Sequence, residues 1–515
     1  MAKLEGPTYI LEAKSFLVDP GQDELQALTE KMPNARRTRY GNLNVTTRVD
    51  SRSSRSTFIV SDDPSFADQT IPRAKYDEIV EIQEAYIRDQ DMVVINGFIG
   101  DDPEFRVPAR LVIEAANANI AGSQDLLYFK GEQGEFSEPA ATIIYTPNLP
   151  APGYPLDRCI AVDLDNGVTR VLNSDYFGES KKGGLRMWNK IVYDRGGLAL
   201  HAGCKEIPVG DDHQTFLIIG LSGTGKTTTT FTRQNDSKPV QDDFVALMPG
   251  GAVHGTENGC FAKTFAINPD HEPTIYKAVT SPGSYLENVS QNDDGELDFY
   301  DESFTANGRA VFGMEKLGWF TAPKECGTVQ KFLILNRNNN IIPAVARLTK
   351  EQAAAYFMLG ETMGTAAGGK DEAGKSLRVP GTNPFFPMQH ALQGNRFHEL
   401  LQTAEMEVYL LNTGWIGGGE GDEHCKKVSI PVSSAVVKAI AEGTVTWETD
   451  PDFGYEIASS LPGVEDIEFL QPKRLYERTG REAGYSEIVE RLKEERTEFL
   501  KGFEGLEPDI VAAIS

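Results

Sequence analysis

A mixed α/β fold in two domains is what this sequence predicts, on three observations. An apolar run leads directly into a glycine-rich loop and a threonine-rich helix start, "FLIIGLSGTGKTTTTF" from Phe216 to Phe231. Short apolar segments of strand length alternate elsewhere with acidic, amphipathic ones of helical length. The chain has 515 residues, more than one hydrophobic core usually holds.

The elements follow in chain order. Residues 1 to about 200 form the first expected domain, with a helical segment at Tyr76–Asp89 and strands in "MVVINGFIG" (Met92–Gly100), "RLVIEAA" (Arg110–Ala116) and "AATIIYTP" (Ala140–Pro147). From His201 to the end comes the second, containing the glycine-rich loop and further strands and turns. Within it Gly364–Pro384 is rich in Gly, Lys and Asp and poor in residues to bury, so it reads as a surface loop that could serve as a lid. The closing segment Tyr485–Phe503 carries apolar residues at near-helical spacing among many charges, which predicts a helix.

The loop carries the first chemistry. Gly220-x4-Gly225-Lys226-Thr227, placed between a buried strand and a helix start, is the pattern of a phosphate-binding loop. Its glycines let backbone N–H groups of Gly220, Leu221, Ser222, Gly223, Thr224 and Gly225 turn toward an anion; Lys226 reaches the outer phosphates and the Thr227 hydroxyl can ligate Mg²⁺. Such a loop needs an acidic partner at the end of a second strand, and "KPVQDDFVAL" supplies Asp242 and Asp243 between apolar residues. Poor helix propensity in the threonine run means that the following helix depends on tertiary packing.

Composition narrows the rest. With 76 acidic against 50 basic residues the net charge is −26, which disfavours nucleic acid as a partner. No run is long enough for a membrane span and the start lacks a signal-peptide core, so a cytoplasmic protein is expected. Five cysteines without metal-ligand spacing, Cys159, Cys204, Cys260, Cys326 and Cys425, are expected to be reduced. An acidic protein that binds anions must gather its cations at the site. Two clusters stand out, Arg48, Arg52 and Arg55 in "RVDSRSSRSTFIV", and Lys181 and Lys182 in "YFGESKKGG". Taken alone, each reads more readily as a solvated face.

In order along the chain, "RSSRSTFIV", "YFGESKKG", "LALHAG", "GLSGTGKTT", "QDD", "ENGCFAKT", "EPTIY", "LENV", Arg309, "ARLT" and "LNTGW" resemble the phosphoenolpyruvate carboxykinases that use ATP. The resemblance implies an N-terminal domain (1–200) and a C-terminal nucleotide- and metal-binding domain (201–515) that contains the phosphate loop, with the active site in the cleft between them. It implies a lyase reaction of gluconeogenesis. Oxaloacetate loses CO₂ and the resulting enolate takes the γ-phosphoryl group of ATP. By the same resemblance Lys182, His201 and Asp243 ligate Mn²⁺, the neutral amine of Lys182 being the ligating form. Thr227 holds Mg²⁺ on the nucleotide, with Asp242 holding a water of that metal. Arg52 holds a substrate carboxylate, Tyr176 and Ser222 contact the substrate, Arg309 touches both nucleotide and substrate, and Lys263 adds positive charge where CO₂ leaves. Arg55 and Lys181 are lesser candidates. The nucleotide is expected on Gly220–Thr228 (Thr228 included), His201, Glu272, Arg309, Lys427, Val428 and Ser433.

Four segments depart from the family pattern. Lys427 and Ser433 stand where an arginine and a threonine are usual, Ser54 where proline is, "HAGC" follows the histidine differently, and "ANGR" has Gly308 in place of threonine. A monomer acting on small molecules is expected. The alternatives are a phosphate-loop kinase acting on another small acid or on a protein, which has no need of Lys182 with His201, and a non-catalytic nucleotide-binding protein, which has no need of Arg52 and Arg309.

Overall fold

Alternation along the apolar runs explains why both faces of each main sheet are buried. In strand Asp212–Ile219, Phe216 and Ile218 face one core and Leu217 and Ile219 point to the other side, and all four are fully buried. The computed structural model describes residues 1–270, 272–363 and 376–514. Most of the expected lid, 364–375, therefore lies outside the described residues.

The chain divides into two units, Met1–Asp194 with Thr256–Phe320 and Pro387–Gln389, and Arg195–Gly255 with Thr321–Phe386 and His390–Ser515. Segment Thr256–Phe320, which a single boundary near residue 200 would give to the C-terminal part, belongs with the first unit.

In the first unit an eight-stranded mixed sheet runs in the order Ser15–Val18, Asp91–Ile99, Val107–Glu114, Ala141–Thr146, Val168–Leu172, Cys159–Asp163, Thr57–Val60, Thr70–Ile71. The expected strands at 92–100, 110–116 and 140–147 are its centre, and the expected helix at 76–89 is Arg73–Ile87. Helix Phe177–Asp194 packs on this sheet at Gly183, where a Cβ would already lie 3.2 Å from Ile143 and Thr169. A second sheet of five strands runs Gly259–Lys263, Arg309–Gly313, Tyr285–Glu287, Leu43–Val45, Ala35–Arg37.

The second unit is built on another eight-stranded sheet, ordered Lys238–Gln241, Ala202–Val209, Asp212–Ile219, Val329–Asn336, Glu407–Asn412, Val345–Leu348, Glu456–Ser460, Thr446–Thr449. Its central pairings, 212–219 with 329–336 and 329–336 with 407–412, are parallel. Helix Ile430–Glu442 supplies Val436, Val437 and Ile440 to the core on one face. On the other, Phe332 packs on Phe397, whose ring stacks on Phe357 at 4.4 Å. The expected C-terminal helix is Glu482–Lys501. Among the described residues no helix is long and apolar enough to cross a membrane.

Candidate active site

In the second unit the sites follow from the ends of parallel strands. Strand Asp212–Ile219 ends at Gly220, where a Cβ would strike the Thr224 hydroxyl at 2.3 Å, so only glycine lets the chain turn there. Gly223 and Gly225 adopt left-handed backbone (φ 86° and 91°), and helix Lys226–Phe231 starts directly after. Thr224 closes the loop by donating to the Leu221 carbonyl at 2.8 Å, and Thr413 donates to the Thr224 carbonyl at 2.8 Å. The helix is only six residues long, as its threonines predict; Thr230 and Thr232 each donate back to a carbonyl four residues earlier. Its C-terminal end is held by Lys205, a fully buried amine that donates to the carbonyls of Thr229 (3.0 Å) and Thr232 (2.5 Å) and to Gln234 Oε1 (2.6 Å). Burial pulls the Lys205 amine down to about 7.

Just past strand Lys238–Gln241, Asp243 gathers two of the expected residues on a single oxygen: His201 Nε2 lies 2.9 Å and Lys226 Nζ 3.3 Å from Oδ1. Thr227 Oγ1 lies 3.4 Å from Asp242 Oδ2. The other imidazole nitrogen, Nδ1, is 2.9 Å from the Thr382 carbonyl, which can only accept, so Nδ1 carries the proton. By the same rule Nε2 faces an oxygen that accepts, so without a metal it donates to Asp243; a cation held between Nε2 and the carboxylate would take that proton's place, with Nδ1–H to the Thr382 carbonyl as its outer-sphere contact. Phe244 and Phe385 pack the ring at 5.2 and 5.8 Å between centroids. An imidazole nitrogen beside a carboxylate oxygen, and a hydroxyl beside a carboxylate, are both donor sets that suit a divalent cation. Among the described residues no group of three His, Cys, Asp or Glu gathers as a ready-made cage.

The first unit holds the remaining expected cations. Arg52 and Arg55 are exposed on a loop whose backbone is clamped by acids: Asp175 accepts the N–H groups of Arg48 and Val49 (2.9 and 3.0 Å), and Glu179 accepts that of Ser53 (2.7 Å). Tyr176, between those two acids, is buried; its backbone carbonyl accepts from Tyr145, and its ring lies where a Cβ on Gly178 would clash at 2.3 Å. Lys182 is half-buried on helix Phe177–Asp194. Its neighbour Lys181 is buried and pairs with Glu257 at 2.9 Å, which gives the lesser candidate a structural role.

In the five-stranded sheet, register sets Lys263 opposite Arg309, and Arg309 opposite Glu287. Residues directly opposite share a face, so two cations and a carboxyl stand in one row. Burial first, and then the charge of Arg309, bring the Lys263 amine down to about 8. The Arg309 guanidinium lies 5.0 Å from the Phe261 ring centre and donates to Asn307 Oδ1 at 2.9 Å. Asn307 in turn donates to the Asp50 carbonyl (2.6 Å) and lies 3.4 Å from the Tyr176 hydroxyl. Asn307 thus ties together the Arg52 loop, Tyr176 and Arg309, a role the sequence reading missed. Its place two residues before Arg309 in "ANGR" was the available signal.

The phosphoenolpyruvate carboxykinase family model matches residues 14–467. The chain belongs to the ATP-dependent phosphoenolpyruvate carboxykinase family. It is 30% identical to phosphoenolpyruvate carboxykinase (ATP) 1 of Moorella thermoacetica over 423 residues, covering 80% of this chain and 78% of the relative. The Bacillus pumilus enzyme of the same name is 30% identical (83% and 82% covered) and that of Bacillus subtilis 29% (88% and 87% covered). Phosphoenolpyruvate carboxykinases of this type use ATP and divalent metal ions. The base of the nucleotide is expected on Lys427, Val428 and Ser433. Lys427 is exposed, its amine 5.7 Å from the Trp415 ring centre; Val428 is buried; and Ser433 sits in the first turn of helix Ile430–Glu442. Val428 N–H donates to the Gly414 carbonyl, next to the Thr413 that binds the Thr224 carbonyl, so this segment is tied to the glycine-rich loop. Glu272 belongs to the first unit, as the residue before helix Pro273–Val279.

Proposed function

We propose that the protein converts oxaloacetate and ATP to phosphoenolpyruvate, ADP and CO₂, by decarboxylation to an enolate followed by γ-phosphoryl transfer, the direction that serves gluconeogenesis. The observation that carries this reading is the convergence of His201 and Lys226 on Asp243, within a chain of this family. The glycine-rich loop would hold the nucleotide's phosphates through its backbone N–H groups, with Ser222 facing the substrate. Lys226, bound to Asp243 without ligand, would transfer its charge to the outer phosphates. His201 and Asp243 would hold Mn²⁺ with Lys182 as the third ligand that the resemblance implies, and Thr227 and Asp242 would serve Mg²⁺ on the nucleotide. When bound, the cations supply positive charge for the enolate oxygen and the phosphates. Arg52 would orient a substrate carboxylate from its clamped loop, and Tyr176 would line the substrate's position. Lys263 in its protonated form would stabilise charge as CO₂ departs. Arg309, held by Asn307 and Phe261, would span nucleotide and substrate through its planar fork of donors.

Purified protein incubated with oxaloacetate, ATP and Mn²⁺ should form phosphoenolpyruvate and ADP in equal amounts. Absence of phosphoenolpyruvate with ATP, GTP and pyrophosphate alike would overturn this reading.

A further inference from the structure

Behind Arg309 the structure contains a small cavity, mostly apolar in its walls but with polar groups of Asn119, Glu287 and Arg309 among them. About 10 Å³ is open to the centre of a water molecule, between the face of the five-stranded sheet and helix Ala118–Leu127, with Asn119, Tyr285, Glu287, Arg309 and Val311 among its walls. Three buried polar atoms at this place have no hydrogen-bond partner among the described residues: Asn119 Oδ1, Glu287 Oε2 and Arg309 Nε. Asn119 and Glu287 are only 4% and 5% exposed. Leaving three such atoms unsatisfied is costly, and space for one water lined by two to four polar groups is what an internal hydration site requires.

We propose that Asn119, Glu287 and Arg309 share one buried water, and that this bridge makes Glu287 a positioning residue for the Arg309 guanidinium. With Glu287 neutral, Arg309 Nε–H and the Glu287 O–H donate to the water oxygen and the water donates one O–H to Asn119 Oδ1; with Glu287 ionised, the water accepts from Arg309 Nε–H and donates to Asn119 Oδ1 and Glu287 Oε2, so the three atoms are satisfied in either state. The second oxygen of Glu287 already accepts the N–H of Phe177 at 2.9 Å, so one carboxyl also fixes the chain next to Tyr176.

The same carboxyl decides how much of Arg309's charge reaches a ligand. Burial raises Glu287 to about 8; the Phe177 N–H opposes this, Asp175 adds to it and Arg309 opposes it. Tyr176, Tyr145 and Tyr285 also lie near it, all raised by burial, and Lys263 stands beyond Arg309 in the same row. A carboxyl raised in this way is neutral below about 8 and ionised above it. When neutral, it leaves the guanidinium's charge to anions outside; when ionised, it competes with them for Arg309.

The test rests on the proposed reaction and includes a readout independent of it. Between about pH 7 and 9, the KM for oxaloacetate should rise through 8 in the parent and much less in Glu287→Gln, which cannot ionise. Lys263→Arg keeps the neighbouring cation charged, and the rise should persist in it. Asn119→Leu, which fills the water's place with methyls, should raise KM about tenfold across the range, the scale of one lost hydrogen bond to a charged group. Infrared spectra of the parent should show a protonated carboxylic band at neutral pH that is lost by about pH 9.5 and is absent from Glu287→Gln. A parent that makes no phosphoenolpyruvate refutes the reaction and leaves the infrared test standing. An active parent without the band, or an equal rise of KM in Glu287→Gln, refutes the proposal. Should Glu287→Gln not fold, the parent's band and Asn119→Leu decide alone: no band lost with pH, or an unmoved KM in Asn119→Leu, overturns it.

Discussion

A single carboxylate oxygen, Asp243 Oδ1, receives both His201 and Lys226, and this sharing separates two kinds of failure. Removing the imidazole leaves Lys226 and the backbone N–H groups of the loop in place for the nucleotide. His201→Ala should therefore lower kcat by at least about a hundredfold, the scale seen for disrupted metal sites, while the Kd for ATP, measured by calorimetry, stays within about threefold. Lys182→Ala should behave alike, and a loss of ATP affinity as large as the loss of turnover in either variant would refute the division of labour. Residue-scale reasoning also applies to Lys427. A lysine amine cannot stack on a purine as a guanidinium does. Lys427→Arg should raise the ratio of kcat/KM for ATP over GTP by about three- to tenfold, a typical cation–π increment. An unchanged ratio would mean that another group reads the base.

At the scale of the element, the helix that follows the glycine-rich loop is too short and too rich in threonine to stand by itself. Its last carbonyls are satisfied by a side chain from the neighbouring strand, Lys205. Lys205→Met keeps the volume and removes the amine's hydrogen bonds, three when it is protonated and two when it is neutral, leaving buried acceptors unpaired at about 1–3 kcal/mol each. The second unit should melt at least about 5 °C lower, and the KM for ATP should rise as the loop loosens. An unchanged melting temperature would show that packing of the threonines alone carries the helix. Sign matters here too. A lysine whose folded-state value is depressed to about 7 contributes stability that is present above the unfolded value and diminishes as pH falls toward 7. The difference between parent and Lys205→Met should accordingly be larger at pH 9 than at pH 6.5, readings on either side of that value.

Over the whole molecule, a net charge of −26 adds a self-repulsion that no single contact offsets. Many ion pairs on both units are exposed, as Lys75–Glu78 and Arg37–Glu30 are, and these contribute little. Screening should therefore stabilise more through relieved repulsion than it destabilises through weakened pairs. Melting temperature should rise between about 0.02 and about 0.5 M NaCl, a range over which the Debye length falls severalfold. A flat or falling curve would place the balance with the ion pairs instead.

Local pattern by itself determined the strand, glycine-rich loop and short helix at 212–231, the central strands of the first unit, the terminal helix and the family, because those signals lie within a few residues of each other along the chain. The tertiary structure decided what lies across it. His201 finds the carbonyl of Thr382, 181 residues away, and the free thiols Cys204 and Cys326, 122 residues apart, come to 3.7 Å. Lys263, Arg309 and Glu287 form a row only because three strands pair in one register, and Glu287 matters only because that row is covered by a helix. Glu287 was read in sequence as part of the motif "LENV" and Asn307 as part of a variant spacer, with no role for either. Pairing register and burial are properties of the folded sheet, and they convert an ordinary glutamate into a buried acid beside Arg309. No spacing along the chain encodes that conversion.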